Sequence, residues 1–471
     1  MKKLLCLALV ILMLVTAGCQ KADQPGTTNT TGSTTADNTQ KEDPFVPVMR
    51  FVVTSDVHIR EEAVDLQSRE RLSQLYDTAY SYADNHPDYK KLDAIFFVGD
   101  ITNNGTVDEL TYFFDYVKEN TREGTLARAV MGNHEVYDAG GFKTTDGVTK
   151  AAARFLEISE YETTDVHLTL SGYHFIMVSP DLYKTDSSMF FSAEKLIWIR
   201  QELDKAKSDT PDKPIFLFQH EPPRGTMVGS TATSGDQLLH RLLKDYPHVI
   251  DFSGHTHVPM TNPNVIWQGE YTALNTASLA YLSIPIYDAN GKMTRPKQLN
   301  ETGAFTTEIS QDGPRNAGMY YIVEIDAKGV IRILRYNIFT RSLWGEPFIL
   351  DSINPADFKY TNARKEQAEK PVFDASAAIT VESADAQKPM ISFPQATCKD
   401  IVANYRIEIY QGETLVATQM RIAETFYGDA TPNPLKTALN KLEPGTYTLK
   451  VFATSSYALH SEPITGTLTI Q

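Results

Sequence analysis

The sequence predicts an α/β domain followed by an all-β domain. Apolar, β-branched segments alternate with helical patterns over most of the chain, whereas the C-terminal part contains only short alternating segments separated by turn residues. At 471 residues the chain exceeds the usual length of one domain. We therefore expect folded units at 45–356 and 371–471, joined by a linker or connecting helix at 357–370.

The first unit contains apolar runs that are typical of buried strands. These runs are Met49–Thr54, Ala94–Val98, Ala129–Met131, His174–Val178, Ile215–Phe218 and Val249–Phe252. Between them, Thr106 with Glu109 and Ser234 with Gln237 have the spacing of capping boxes, and Ser192 opens a periodic apolar stretch. Strands that alternate with helices in this way predict an α/β domain.

Two further strands, Tyr320–Ile325 and Val330–Asn337, are predicted to form a hairpin that completes a second sheet. The C-terminal unit reads as a small β-sandwich, and the segment Leu442–Val451 looks like the penultimate strands of immunoglobulin-like or fibronectin-type modules. Its predicted strands are Ile379–Glu382, Met390–Phe393, Tyr405–Tyr410, Leu415–Arg421, Thr446–Phe452 and Thr465–Ile470.

The N-terminus has the order of an export signal. Lys2 and Lys3 precede the apolar run Leu4–Val15, and small residues lead to Cys19. This pattern resembles a bacterial lipoprotein signal peptide (1–19), after which lipid on Cys19 would anchor the protein at the cell surface or outer envelope. The alternative is ordinary cleavage with Cys19 incidental. Residues 20–44 are rich in Thr, Ser and Asn, which predicts a flexible tether.

The net charge of -15 argues against a nucleic-acid-binding surface, which requires a basic patch. It does not exclude a phosphorylated substrate, because bound cations invert the local field at a site. Cys6 would leave with the signal and Cys19 would carry lipid, so Cys398 has no partner for an internal disulfide.

Metal-binding side chains directly follow the apolar runs in five segments. They are Ser55-Asp56-Val57-His58, Gly99-Asp100, Gly132-Asn133-His134-Glu135, Gln219-His220-Glu221 and Gly254-His255-Thr256-His257. Open α/β sheets bind ligands at the carboxyl ends of their strands, so these segments are expected to converge. A single histidine after a strand is usually structural, but five of the eleven histidines fall in these segments.

The ordered set Asp-x-His, Gly-Asp, Gly-Asn-His-Glu, His and Gly-His-x-His resembles the calcineurin-like metallophosphoesterase superfamily over residues 50–257. The resemblance implies an α/β (α+β) four-layer sandwich of two mixed β-sheets flanked by helices, with a dinuclear metal site between the sheets. Mixed imidazole and carboxylate ligands suit zinc, iron or manganese.

By this resemblance, one ion is held by Asp56, His58, Asp100 and His257, and the other by Asp100, Asn133, His220 and His255. Asp100 would bridge the two ions. His134 would stabilise charge on the phosphoryl group and protonate the leaving oxygen, and Glu135 would orient His134.

The sequence therefore predicts hydrolysis of an extracellular phosphomonoester or phosphodiester by a metal-activated water. Purple acid phosphatases are disfavoured because no tyrosine follows Gly99-Asp100 closely, and Val136-Tyr137-Asp138 departs from the Phe-Asp of exported nucleotidases. Bacterial cyclic-nucleotide phosphodiesterases of the superfamily share the motifs, which keeps phosphodiesters open. The alternative function is surface binding through the C-terminal sandwich, with the phosphoesterase fold as a non-catalytic scaffold.

Three further residues have two interpretations each. Arg224 either contacts a substrate phosphate or is a solvated loop residue. Tyr281 and Tyr287 either line the site entrance or pack within the long segment that ends at Gly318. The C-terminal unit has no identifiable partner from sequence; it would position the enzyme, cover the site or bind a partner.

Overall fold

Residues of the first strand alternate between two apolar environments, as expected for a strand that is buried on both faces. Phe51 and Val53 pack into one core and Val52 into another, and all three are fully buried. The computed structural model describes residues 45–61, 67–138, 145–184, 188–230, 236–294, 298–299, 305–306, 318–338, 340–423, 425 and 433–471. The predicted signal peptide and tether lie outside these residues, and Phe45–Gln471 forms one compact unit.

The N-terminal region contains all the predicted strands and several more. Its strands are β1 (Pro47–Thr54), β2 (Ala94–Val98), β3 (Leu126–Val130), β4 (Val166–Leu170), β5 (Tyr173–Met177), β6 (Leu182–Lys184), β7 (Ser188–Phe190), β8 (Ile215–Phe218), β9 (Val249–Ser253), β10 (Ile266–Gln268), β11 (Thr272–Asn275), β12 (Ile286–Tyr287), β13 (Met293–Thr294), β14 (Gln298–Leu299), β15 (Phe305–Thr306), β16 (Met319–Asp326), β17 (Ile331–Asn337), β18 (Ser342–Leu343) and β19 (Phe348–Leu350). Its helices are α1 (Gln67–Asn85), α2 (Val107–Asn120), α3 (Thr145–Ser159), α4 (Ala193–Asp209) and α5 (Gln237–Leu243). None of the helices in the described part of the chain combines the length and apolarity that crossing a bilayer requires.

Two mixed sheets form the centre of this region. The first has the order β18-β17-β16-β1-β2-β3, with β19 also paired to β17. In this sheet β1, β2 and β3 are parallel and β16 is antiparallel to β1. The second has the order β10-β11-β9-β8-β5-β4, with a parallel centre and antiparallel edge strands β10 and β4. The carboxyl ends of both parallel sets therefore carry the predicted ligand segments.

Three apolar cores separate four layers. The central core lies between the sheets, where the Phe51 ring makes edge contacts with Phe175 at 5.4 Å and Phe216 at 5.1 Å. A second core joins the outer face of the first sheet to α1, α2 and α3, and a third joins the second sheet to α4 and α5. The predicted four-layer α/β sandwich with two mixed sheets is confirmed.

Two of the three predicted helix starts are confirmed. Thr106 and Glu109 form a reciprocal capping box at α2, and the Ser192 side chain accepts from the Lys195 amide at α4. The predicted cap of α5 is wrong: Asp236 is the capping residue, and Ser234 lies outside the described residues. One Asp236 carboxylate oxygen accepts from two backbone amides, at 2.7 and 2.9 Å, so it satisfies two of the free amides at this end.

The hairpin of β16 and β17 is present, but it extends the first sheet instead of completing a second one. Its strand β16 pairs with β1, with Val323 opposite Phe51. Both faces of β16 are apolar, because Val323 enters the central core and Ile322 the outer core. Such a strand fits an interior position in a sheet that is covered on both sides.

The C-terminal region is an all-β sandwich, as predicted. Its strands are β20 (Thr380–Ser383), β21 (Met390–Phe393), β22 (Val402–Gln411), β23 (Thr414–Ile422), β24 (Leu435–Ala438), β25 (Gly445–Ser455) and β26 (Ile464–Ile470). They form two antiparallel sheets, β20-β21-β24 and β23-β22-β25-β26, around one apolar core. Strand β24 was not predicted, and the likeness to immunoglobulin-like modules stays a prediction.

The connection between the two regions consists of 3-10 turns, at Pro355–Asp357 and Asn362–Gln367, and not of a connecting helix. It is fixed to β10 because the Gln268 side-chain oxygen accepts from the amides of Lys359 and Tyr360, both at 2.9 Å. The domain limits at 356 and 371 stay predictions.

Candidate metal centre

The predicted ligand segments lie together at the carboxyl ends of β1, β2, β3, β8 and β9. Backbone hydrogen bonds tie neighbouring segments to each other. The His58 amide donates to the Asp100 carbonyl at 3.1 Å, and the Gly254 amide donates to the His220 carbonyl at 2.9 Å. All seven predicted metal ligands are therefore brought to one place, as the strand-end argument requires.

Three of the ligands form a group that we call the Asp56 half: Asp56, His58 and His257. Oδ1 of Asp56 lies 2.9 Å from Nε2 of His257 and 3.8 Å from Nε2 of His58. The two imidazole Nε2 atoms are 3.3 Å apart. Asp56 is fully buried and the two histidines nearly so, which places these polar atoms in a water-poor environment.

The remaining four ligands form the Asp100 half: Asp100, Asn133, His220 and His255. Oδ2 of Asp100 lies 3.1 Å from Nε2 of His220. The Asn133 side-chain oxygen lies 2.9 Å from Nδ1 of His255 and 3.2 Å from Nε2 of His220. Asp100 also offers a carboxylate oxygen within 4.8 Å of a nitrogen of His58, so it adjoins both halves, as expected for a bridging ligand.

The ring orientations leave lone pairs pointing into the site. Nδ1 of His220 donates to the Val98 carbonyl at 2.9 Å, and Nδ1 of His257 donates to the Tyr281 carbonyl at 3.1 Å, because a carbonyl can only accept. In the neutral rings Nε2 is then an acceptor that faces other acceptors. Oδ1 of Asp56 is buried and lies 2.9 Å from Nε2 of His257, but with the His257 proton on Nδ1 it has no hydrogen-bond donor among the described residues. Converging buried acceptors of this kind fit metal cations.

The pKa values agree with a site for positive charge. Burial alone raises the pKa of Asp100, but the adjacent imidazoles, His220 first, hold it well below the usual value. Burial lowers the pKa of His220, yet the Asp100 carboxylate outweighs this and raises it to about 10. Burial and the charge of His220 lower the pKa of His255 to about 4. Without a cation, a proton on His220 offsets the charge of Asp100.

Two glycines allow the ligands to approach the backbone. A Cβ atom at Gly132 would collide with the Asp100 carboxylate and amide, and one at Gly254 would collide with the Asp56 carboxylate. The glycines in the sequence motifs are therefore required by the close approach of the carboxylates.

Five of the seven ligands have left-handed backbone conformations. The φ angles are 51° at Asp56, 48° at His58, 49° at Asp100, 66° at His255 and 55° at His257. Non-glycine residues adopt this region at a cost of about 1 kcal/mol or more each, and such residues cluster at functional sites. The surrounding hydrogen bonds hold the chain in a conformation that turns these side chains inward.

His134 lies at the edge of the cluster with one nitrogen directed at it. Nδ1 donates to the Asn103 carbonyl at 2.6 Å, so Nε2 is the position that gains or loses a proton. Nε2 lies 3.2 Å from the Tyr137 hydroxyl and 3.8 Å from Oδ2 of Asp100. The prediction that Glu135 orients this ring is wrong, because the Asn103 carbonyl makes the orienting bond.

Glu135 holds the backbone that carries the ligands. Its buried carboxylate accepts from the amides of Asp100 at 3.0 Å, Thr102 at 2.9 Å and Gly132 at 2.6 Å. Burial and the nearby charge of Asp100 raise the pKa of Glu135 to about 7. The geometry makes Glu135 a positioning residue for Asp100 and not a group that touches the reacting atoms.

Three site residues were missed or left open by the sequence. The Tyr137 hydroxyl accepts from the Asn133 amide group at 3.2 Å while it contacts His134. The Ser55 hydroxyl donates to Oδ2 of Asp56. The Tyr281 ring lies 4.1 Å from the His257 ring. The positions of Ser55 and Tyr137, beside the Asp-x-His and Gly-Asn-His-Glu motifs, were the available signal.

The other two open residues lie elsewhere. Tyr287 is buried where the N-terminal region meets the C-terminal sandwich, so it packs and does not line the entrance. Arg224 follows His220 in a loop where its amide donates to the Asp236 carbonyl, and its contact with a substrate phosphate stays a prediction.

Residues 49–259 match the family of calcineurin-like phosphoesterases, and this range carries every ligand segment described above. The chain thus contains a domain of the metallophosphoesterase superfamily, a class of hydrolases that act on phosphoester bonds. The family and enzyme class predicted from the sequence are confirmed.

A curated relative agrees with this class. The chain is 28% identical over 220 residues to a probable glycerophosphodiester phosphodiesterase, GpdQ, of Arcobacter nitrofigilis, which covers 44% of this chain and 72% of that protein.

Solved structures add little. The FN1–FN3 domains of chicken CNTN1 match at 14% identity and a TM-score of 0.17, over 33% of this chain and 42% of that chain. A hypothetical protein from Pyrococcus horikoshii matches at 9% identity and a TM-score of 0.24, over 52% of this chain and 86% of that chain. Likeness at this level supports no argument about fold or function.

Proposed function

We propose that the chain is a dinuclear-metal-dependent phosphodiesterase that acts outside the cytoplasm. The observation that carries the proposal is the convergence of buried acceptor atoms in the Asp56 half and the Asp100 half, with Asp100 adjoining both. Bound metal ions in such a site supply a water of lowered pKa and offset charge on the phosphoryl oxygens. Zinc, iron and manganese suit the mixed imidazole, amide and carboxylate donors.

The protein's own groups would hold and orient the substrate. Nε2 of His134 faces the cluster and is the ring position that carries a mobile proton, so we assign it to stabilising the phosphoryl group and protonating the leaving oxygen. Tyr137 fixes this ring from one side and the Asn103 carbonyl fixes it from the other. Tyr281 forms an aromatic wall beside His58 and His257 that shields this side of the site from water.

A phosphodiester is the preferred substrate class. The relative with the printed name of a glycerophosphodiester phosphodiesterase supports this choice over a monoester. The alternative, surface binding on an inactive scaffold, is less well supported because all seven ligand side chains are present and converge.

The test is a comparison of diester and monoester hydrolysis by the purified chain after loading with Zn²⁺, Mn²⁺ or Fe²⁺. We expect turnover of bis-nitrophenyl phosphate and glycerophosphodiesters to exceed turnover of nitrophenyl phosphate. Asp100→Asn should reduce turnover to background, whereas Asp204→Asn, on the exposed side of α4, should not. Wild-type turnover by Asp100→Asn would remove the proposed site, and a preference for the monoester would overturn the substrate class.

The location of the protein is a separate proposal. The signal peptide at 1–19 and the lipid on Cys19 rest on the sequence pattern alone. Metabolic labelling of wild type and Cys19→Ala with a fatty acid tests them. We expect the wild type to carry the label and the variant to lack it; an unlabelled wild type would exclude the anchor.

A further inference from the structure

A short segment runs from the metal cluster to the C-terminal sandwich. We call residues 278–287 the bridging segment. At its start, the Ala280 amide donates to the Asp56 carbonyl at 3.1 Å, and the Ser278 hydroxyl donates to the same carbonyl at 3.0 Å. The start of the segment is therefore fixed to the backbone of a metal-ligand residue.

The middle of the bridging segment holds His257. The Tyr281 carbonyl accepts from Nδ1 of His257 at 3.1 Å, which sets the ring so that Nε2 faces Asp56. The Ser283 amide donates to the His257 carbonyl at 2.8 Å. Both the backbone and the imidazole of His257 are thus bonded to this segment. Partners of this kind orient metal-binding histidines and tune their affinity.

The end of the bridging segment is buried against the C-terminal sandwich. Ile284 and Ile286 are 0% and 2% exposed and share one apolar core with Ile401, Ala403 and Ile422. The phosphoesterase core and the sandwich therefore meet without an intervening layer of water. A segment with this much buried apolar surface is held firmly at its far end.

Asn404 of β22 makes the directional contact at this end. Its side-chain oxygen accepts from the Tyr287 amide at 3.0 Å, and its side-chain nitrogen donates to the Tyr287 carbonyl at 3.3 Å. Asn404 is fully buried, so loss of its side chain would leave both backbone groups of Tyr287 without a partner in an apolar environment. One side chain here replaces the hydrogen bonds that a neighbouring strand would supply.

We infer that Asn404 is a positioning residue for the Asp56 half and that the C-terminal sandwich completes the metal site by fixing the bridging segment. The inference rests on the proposed function only in taking His257 as a metal ligand. The path is Asn404 to Tyr287, along the bridging segment to Tyr281, and then to the imidazole of His257. Through this path the C-terminal sandwich supports the metal site and does not act only as a spacer.

The test compares two buried amides of the sandwich in the full chain. Asn404→Leu removes both bonds to Tyr287. Gln419→Leu removes a similar pair within the sandwich, because Gln419 accepts from the Asn440 amide at 2.7 Å and donates to the Ala438 carbonyl at 3.4 Å. Gln419 is 3% exposed, so both changes place leucine at a buried amide position. A difference between the variants then reports on the bridging segment and not on the stability of the sandwich.

The measurement is Zn²⁺ affinity by competition with a chromophoric chelator, without substrate, alongside thermal unfolding and turnover. We expect both variants to unfold at lower temperature, but only Asn404→Leu to bind one Zn²⁺ equivalent more weakly, by ~10-fold, at the lower end of the range for residues that support metal ligands. Its turnover should return as Zn²⁺ is raised.

Equal Zn²⁺ affinity in the wild type and Asn404→Leu, or equal weakening in both variants, would overturn the inference. If Asn404→Leu does not fold, Asn404→Ser is read in the same way, because the shorter side chain reaches Tyr287 poorly without adding apolar volume. The outcome is independent of the proposed reaction, because Zn²⁺ affinity is measured without substrate. The two variants can therefore be compared even if the chain has no phosphodiesterase activity.

Discussion

The Asp56 half and the Asp100 half hold similar ligands but are supported by different parts of the chain. The Asp100 half is supported by its own strand ends: Glu135 bonds the amides of Asp100 and Gly132, and the Val98 carbonyl orients His220. The Asp56 half depends on the bridging segment, whose Tyr281 carbonyl orients His257 and whose far end is held by the C-terminal sandwich.

This difference shows that a sequence motif can specify the metal-binding side chains without specifying the residues that hold them in place. In the Asp100 half, each support lies in a motif or in the strand just before one. In the Asp56 half, Ser55 of the motif bonds Asp56, but His257 is supported by a residue more than twenty positions further along the chain, in a segment that another domain holds. We expect the two halves to respond differently to changes outside the motifs.

Metal removal should have the largest effect, because both halves lose their counter-charge. A chelator should abolish turnover and lower the unfolding temperature by several degrees. The reason is that each bound metal ion, at a free concentration of about 100 times its Kd, adds about 2.7 kcal/mol to the free energy of unfolding. Differential scanning fluorimetry with and without added Zn²⁺ measures the shift. An unchanged unfolding temperature would mean that neither half binds a cation tightly.

Glu135→Leu should disable the Asp100 half through its backbone. Three amides lose their shared acceptor, so we expect turnover to fall by ~10- to 100-fold or more. Glu109→Leu is the matched control, because Glu109 is also buried and bonds the amides of Asn104 and Thr106 at the start of α2. Turnover per folded molecule should survive in the control. Equal losses in both variants would assign Glu135 a role in stability alone.

Tyr137→Phe should have a smaller effect at the edge of the Asp100 half. The variant loses the hydroxyl that contacts His134 and accepts from Asn133. Only the contact with His134, worth about 1 kcal/mol, acts on the group that we assign to proton transfer, so kcat should fall by ~5-fold. Tyr161→Phe serves as the control, since its hydroxyl accepts from the Ala129 amide instead. A kcat equal to that of wild type would remove Tyr137 from the site.

The smallest effect on turnover is expected for a group in β9, Asp251, which acts on the pH dependence of stability. Burial raises the pKa of Asp251 from 3.8 to about 8, and the Gln219 side chain donates to its Oδ1 at 3.1 Å. The folded state therefore binds a proton that the unfolded state releases above pH 3.8, and this stability is lost as the pH rises towards 8. The stability of wild type relative to Asp251→Asn should fall by at most a few kcal/mol over that range.

Chemical unfolding of wild type and Asp251→Asn at about pH 5, 7 and 9 measures this difference in stability. Parallel pH profiles for wild type and Asp251→Asn would show that Asp251 is ionised in the folded protein.

Much of this arrangement could be predicted from the sequence. Strand ends followed by Asp, Asn and His are local patterns, whereas the close approach of Gly132 and Gly254 to carboxylates became visible only in the structure. The direction of a side chain depends on distant parts of the fold and cannot be derived from a motif. Glu135 was therefore assigned to orient His134, although its carboxylate oxygens accept from the backbone amides of Asp100, Thr102 and Gly132. The pairing of β16 with β1 joins positions too far apart for periodicity to specify. Helix α1 was missed although Leu72, Leu75 and Ala79 repeat at helical spacing.

The left-handed conformation of five ligand residues has a consequence for sequence change. Glycine adopts such φ values with less strain than aspartate or histidine, so replacing His58 or His255 by glycine should relax the local backbone while it removes a ligand. The site is thus maintained against a local energetic preference. A descendant released from catalysis would be expected to accumulate glycine at these five positions first, a substitution pattern that distinguishes inactive copies from active ones.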